Sequence, residues 1–180
     1  MIDPPGFKDF SMATTRRELL CYASASLAIG LLPKIAGATT SLPEGAVTAL
    51  TGSDVIYLTP IKSNGEESKC HAEIWFAYDG NDVFVVSASD TWRTRAIRQG
   101  LTQARIWVGD FGVWTKSKER YRSAPGFTAI GEIEADPGEH ERVLDLYGDK
   151  YTLQWIMWGR RFRNSLKDGT RTMLRYRPQI

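Results

Sequence analysis

Cysteine and histidine are both scarce in this sequence, with two of each among 180 residues. Cys21 lies in a leader-like segment, so downstream of it only Cys70 remains and an internal disulfide is excluded. His71 and His140 stand apart with no CxxC, which leaves too few soft ligands for a zinc or haem-attachment site, and no metal is expected. No Ser/His/Asp or Cys/His set suggests a nucleophilic enzyme, and no catalytic residue is assigned. An excess of one charge is also missing, since 23 basic residues face 21 acidic ones for a net of +2. That balance argues against nucleic acid as a partner, and against a membrane surface held through Arg93–Arg98 or Arg160–Arg163. The apolar run at 19–32 is short and interrupted by Ser24 and Ser26, so no stable membrane insertion is expected.

What is present begins with a targeting pattern. Taking Met12 as the start, Thr15-Arg16-Arg17-Glu18-Leu19-Leu20 resembles the twin-arginine export motif, followed by the apolar run and by Ala36-Gly37-Ala38. Small residues at that spacing predict cleavage after Ala38. Residues 1–38 are therefore read as extension and signal, and 39–180 as one domain in a periplasmic or extracytoplasmic location. The twin-arginine translocase is the partner during export. Four basic and three acidic residues leave with the signal, so the remaining chain has 19 and 18, a net of +1.

Periodicity then predicts a helix over 42–51 and a strand over 54–62. Ser63-Asn64-Gly65 marks a turn, and the alternation of 67–78 predicts one strand pairing back across it. A strand over 83–89, apolar on both faces, precedes a short helix from Asp90 or Thr91 to Gln99, stopped by Gly100. Strands are expected over 103–108 and 127–134, with Val113-Trp114 extended between them. Asp136-Pro137-Gly138-Glu139 opens a helical stretch to Tyr147, and a Trp-rich one follows over 151–166. A last strand over 171–177 is closed by Pro178. Hairpin-linked strands with one helix after the third and helices before the last predict a mainly β fold, a six- to seven-stranded antiparallel split β-barrel.

The order of four stretches carries a family resemblance. They are VIYLTPIKSNGEESKCHAEIWFAYDGNDVFVVSAS, SDTWRTRAIRQGLTQARIWV, FTAIGEIE and RTMLRYRPQ. Together they resemble the flavin-binding split-barrel proteins of the pyridoxamine 5′-phosphate oxidase-like superfamily, which includes deazaflavin-dependent reductases. The match is weaker over 136–170. The resemblance implies FMN, alternatively F420, bound with its phosphate at the short helix. Arg93 stands where the family commonly has Lys or Arg, with Arg95 the next candidate and Arg98 a solvated or dimer-facing charge. Physics agrees for Arg93, because a first-turn arginine opposes the helix dipole unless an anion is present. Ser87, Ala88 and Ser89 would contact the ribityl-phosphate. Ile74, Trp75 and Phe76 would lie along the flavin ring, although Ile74 and Phe76 also read as inward core residues. Trp92 takes a position where small residues are common, which crowds the phosphate site.

The resemblance further implies a homodimer and a hydride transfer between flavin and a small-molecule substrate, with the cofactor carrying the chemistry. A non-catalytic flavin- or haem-binding barrel is the alternative. Trp107, Trp114, Trp155 and Trp158 read as core before pocket wall, and His71 as a satisfied strand residue.

Overall fold

A computed structural model describes Leu42 and residues 44–179, so the expected export signal and cleavage site lie outside the described residues. Helix α1 (Glu44–Gly52) leads into strand β1 (Val55–Pro60). Then come β2 (Ala72–Trp75), β3 (Ala77–Tyr78), β4 (Val83–Ala88), α2 (Trp92–Arg98), β5 (Gln103–Val108), β6 (Gly126–Glu134), α3 (Pro137–Lys167) and β7 (Arg171–Gln179). Seven antiparallel strands form one sheet in the order β2-β1-β5-β6-β7-β4-β3. The expected split barrel is the fold observed, with seven strands because the stretch read as one strand over 67–78 is two.

That division closes the barrel. Residues 72–75 pair with β1 at one edge of the sheet, and Ala77 and Tyr78 pair with β4 at the other. Between them Phe76 leaves both ladders. Its N–H donates to the Tyr151 hydroxyl oxygen at 2.9 Å, and that hydroxyl in turn donates to the Asp54 carbonyl at 2.6 Å. A tyrosine from α3 thus satisfies the backbone where the chain changes partners, which a buried N–H requires.

The interior holds Ile56, Leu58, Phe76, Val83, Val85, Ile106, Phe127 and Leu174, with Leu42, Ala46 and Leu50 covering one end. Strand β4 is buried on both faces, as its unbroken apolar run predicts: Val83 and Val85 point inward, while Phe84 and Val86 meet α3. On that outer side Val143, Leu144, Tyr147, Tyr151 and Phe162 complete a second core. Helix α3 starts as the sequence requires, with Pro137 in its first turn and the Asp136 carboxylate accepting the Gly138 N–H at 3.0 Å. Its two predicted halves meet at a break at Thr152 (φ 13°, ψ −79°).

Two local expectations fail. Val113-Trp114 is a turn, because the 109–114 loop folds back: the Tyr57 hydroxyl donates to the Gly112 carbonyl at 2.6 Å, and the Trp114 N–H donates to Glu73 Oε2 at 3.0 Å. Pro178 lies within β7, opposite Ala129. It is tolerated there because β4 pairs only as far as Tyr176, leaving the other side of Pro178 unpaired.

Candidate functional site

The arginine cluster falls on and beside α2, which follows β4 through a tight connection. Thr91 occupies the cap position, but its hydroxyl caps no helical N–H. It donates instead to the Ala88 carbonyl at 2.9 Å, and Thr94 Oγ1 donates to the same carbonyl at 3.0 Å. Ser87 Oγ lies 2.9 Å from Thr91 Oγ1, and Arg93 Nη1 donates to Ser87 Oγ at 3.3 Å. The proton order is then fixed by the terminal acceptor: Arg93 to Ser87, Ser87 to Thr91, Thr91 to the Ala88 carbonyl. Ser87 and Thr94 are buried.

Arg93 uses only part of its donor set on this chain. Its Nε is buried without a partner, and no carboxylate pairs with it among the described residues. Arg122, the other arginine with a buried unpartnered Nε, has Glu67 at 2.8 Å and Glu119 at 3.7 Å. A buried guanidinium N–H left without an acceptor costs stability. The first turn of α2 contains no acidic residue that would serve as one.

A pocket of about 500 Å³ opens beside this turn, between Trp92 and the β1–β2 connection at Lys62, Ser68, Lys69 and Cys70. Lys62 is held by Glu66 at 2.6 Å, whereas Lys69 is exposed with no ion pair among the described residues. Trp92 is half-buried and forms a wall of the pocket, where the sequence suggested crowding. The sequence reads 63–65 as a turn and 67 onward as strand, but the strand begins only at Ala72, so 66–71 stays part of the connection.

The other expected site residues separate into distinct settings. Ser89 is turned away, donating to the Gly169 carbonyl at 2.7 Å and touching Thr172 Oγ1 at 2.7 Å. Arg98, exposed as expected, joins that group, donating to the Ser89 carbonyl at 3.1 Å and to Thr172 at 3.2 Å, so it also ties the end of α2 to β7. Arg95 is exposed on the remaining face. Ile74 and Phe76 belong to the barrel interior, while Trp75 stacks on Tyr151 at 4.5 Å on the opposite side of the strand. The structure therefore brings together Ser87, Ala88 and Arg93, and sets Ser89 and Arg95 apart from them.

The remaining candidates are accounted for by packing. His71 Nδ1 lies 2.5 Å from Thr59 Oγ1, its ring is tilted on Trp114, and burial holds it below the usual histidine range. Trp107 packs with Tyr57 and Tyr121, and Trp155 stacks on Tyr147. Trp158 is partly exposed. Among the described residues no group of three His, Cys, Asp or Glu side chains is arranged to hold a metal ion.

No protein-family model and no curated protein matches the chain. Solved structures do. HutZ, the heme storage protein from Vibrio cholerae, is 14% identical with a TM-score of 0.54, covering 78% of this chain and 92% of that one. ChuZ from Campylobacter jejuni is 10% identical with a TM-score of 0.54, over 74% of this chain and 51% of that one. A conserved hypothetical protein from Mycobacterium tuberculosis is 17% identical with a TM-score of 0.52, over 78% and 87%. At such identities the likeness shows the fold alone, a split β-barrel.

Proposed function

We propose that this split barrel binds a phosphate-bearing flavin, FMN in the first instance, and serves as a flavin-dependent oxidoreductase acting on a small organic substrate. The observation that carries the reading is Arg93. Its Nε–H is buried without an acceptor, its neighbour Ser87 is oriented by a hydroxyl chain, and a basic-walled pocket opens alongside. A phosphate oxygen supplies the acceptor this guanidinium lacks. Arg93 and Ser87 would hold the phosphate, with Lys69 adding charge and Trp92 an apolar wall. The volume of the pocket suits part of a nucleotide-sized ligand.

A bound flavin supplies hydride transfer, and the protein's share is binding and orientation. F420, whose chain also carries a phosphate, is the alternative within the same reading. The heme named for HutZ suggests a different ligand. Each histidine here has one ring nitrogen engaged, His71 with Thr59 and His140 with the Glu134 carbonyl, and the other without a hydrogen-bond partner among the described residues. Export by the twin-arginine route and assembly as a homodimer complete the proposal.

Titration of the full chain with FMN, followed by flavin fluorescence, tests it. The parent is expected to bind. Arg93→Ala is expected to weaken binding by roughly 10- to 100-fold, the loss of a charge-assisted hydrogen-bonding group. Arg93→Lys should recover part of that, and Arg95→Ala should change little. A parent that ignores FMN and F420, or an Arg93→Ala variant that binds FMN as well as the parent, overturns the reading. A heme-binding parent whose absorption changes in His71→Ala and not in Arg93→Ala replaces it.

A further inference from the structure

The second half of α3 is apolar on two opposite sides. Tyr151, Trp155 and Phe162 face the outer core. Leu153, Ile156 and Met157, spaced three and one apart, lie on the reverse side and are 77%, 81% and 72% exposed, while Trp158, 41% exposed, borders the core-facing side. A helix apolar all round is normally covered on every side. Arg160 continues the outer stripe one turn on and Arg161 borders it, its guanidinium 5.5 Å from the Trp158 ring centre. Beside them a pocket of about 410 Å³ opens between Met157, Arg160, Arg161 and Asn164.

Charge identifies the cover. From 150 to 167 the sequence contains five basic residues and no acidic one. Arg163 and Lys167 are taken by Glu141, at 2.7 and 4.0 Å, but Arg160 and Arg161 have no ion pair among the described residues. The one carboxylate at that pocket, Asp168, is occupied by Thr170, whose hydroxyl donates to it at 2.6 Å. The near-neutral net charge of the chain conceals this local excess. A second copy docked by the same face would bring both sets of Arg160 and Arg161 together without counter-charges.

We infer that this face of α3 rests on an anionic lipid surface, with Leu153, Ile156 and Met157 entering the acyl boundary and Arg160 and Arg161 on lipid phosphates. Exposed apolar side chains flanked by arginines are a pattern that binds in the plane of a bilayer. The contact is peripheral, since no helix among the described residues is long and apolar enough to cross a membrane. It does not depend on the flavin reading.

Flotation of the full chain with phosphatidylcholine vesicles, with and without phosphatidylglycerol, tests it at low and high salt. Because the run at 19–32 is itself apolar, the decisive measurement is the response to substitution. Arg160→Gln with Arg161→Gln should weaken partition to anionic vesicles about fivefold per arginine, roughly 25-fold for the pair. Ile156→Ser with Met157→Ser should also weaken it, and both pairs should keep the parent circular dichroism because the side chains are exposed. High salt should abolish the preference for phosphatidylglycerol. Partition that neither pair alters, or no partition at all, overturns the proposal. So does a concentration-dependent dimer that Ile156→Ser with Met157→Ser disperses while vesicle binding stays unchanged.

Discussion

Tyr151 performs with one oxygen what a continuous strand would otherwise do. It accepts the Phe76 N–H, donates to the Asp54 carbonyl, and its ring stacks on Trp75. Tyr151→Phe keeps the ring and strands a buried N–H, which should cost about 1–3 kcal/mol, read as a lower urea midpoint with an unchanged slope. Gly131 is a different kind of requirement. A Cβ there would lie 2.7 Å from Tyr176 Cε1 and 2.9 Å from Ile97 Cδ1. The need is for space, and Gly131→Ala should lower stability by about 1–3 kcal/mol in the same assay. Neither role is legible beforehand: in FTAIGEIE the glycine occupies an ordinary strand position, and the ring that crosses it comes from β7. The odd placement of Arg93 was legible, since a cation in a first turn conflicts with the helix dipole, but its buried unpartnered Nε was not. The approach of Lys69 to Trp92 was not legible, because it depends on which helix the 62–70 connection meets.

The elements with strong local signals emerged where the residues placed them. The apolar run QARIWV is β5, and the Asp-Pro-Gly-Glu start of α3 is a working cap. Asp136→Ala should lower thermal stability by about 1 kcal/mol, measured by melting, since only the Gly138 N–H depends on that carboxylate. What local signals missed were changes of partner. The alternation from Cys70 to Phe76 is real, yet the strand divides at Phe76 because the two ends of the sheet need joining. Val113 and Trp114 look extended by composition and turn because Tyr57 and Glu73, more than 40 residues away in sequence, capture their backbone. Pro178 stops a ladder on one side only, and sequence does not say which side is used.

Across the whole molecule, ionisation of buried groups sets a pH profile. Lys150 sits with its Nζ 3.3 Å from the centre of the Phe76 ring, and burial pushes it down to about 8, opposed by Asp54. Between there and its ordinary value of 10.5 the unfolded chain holds one proton more than the folded one, so stability rises with pH. Burial raises Tyr147, Tyr151 and Tyr176 above their ordinary 10.0. Above that value the folded chain holds more protons, and stability falls. Urea midpoints are therefore expected to climb from about pH 8 toward 10 and then to drop. Lys150→Met should flatten the climb and leave the drop.

The strand order has a consequence for how the chain is made. Strand β7 lies between β4 and β6 and pairs with both, from Arg171 to Tyr176 on one side and from Met173 to Gln179 on the other. Apart from β7, the β4–β3 pair has no hydrogen-bonded neighbour in the sheet. A polypeptide emerging from the ribosome thus holds β1, β2, β5 and β6 ready to pair while β4 waits, its neighbour still to be synthesised. Folding of the barrel is in that sense a late event, completed only when the last strand is threaded between two that have been waiting for it.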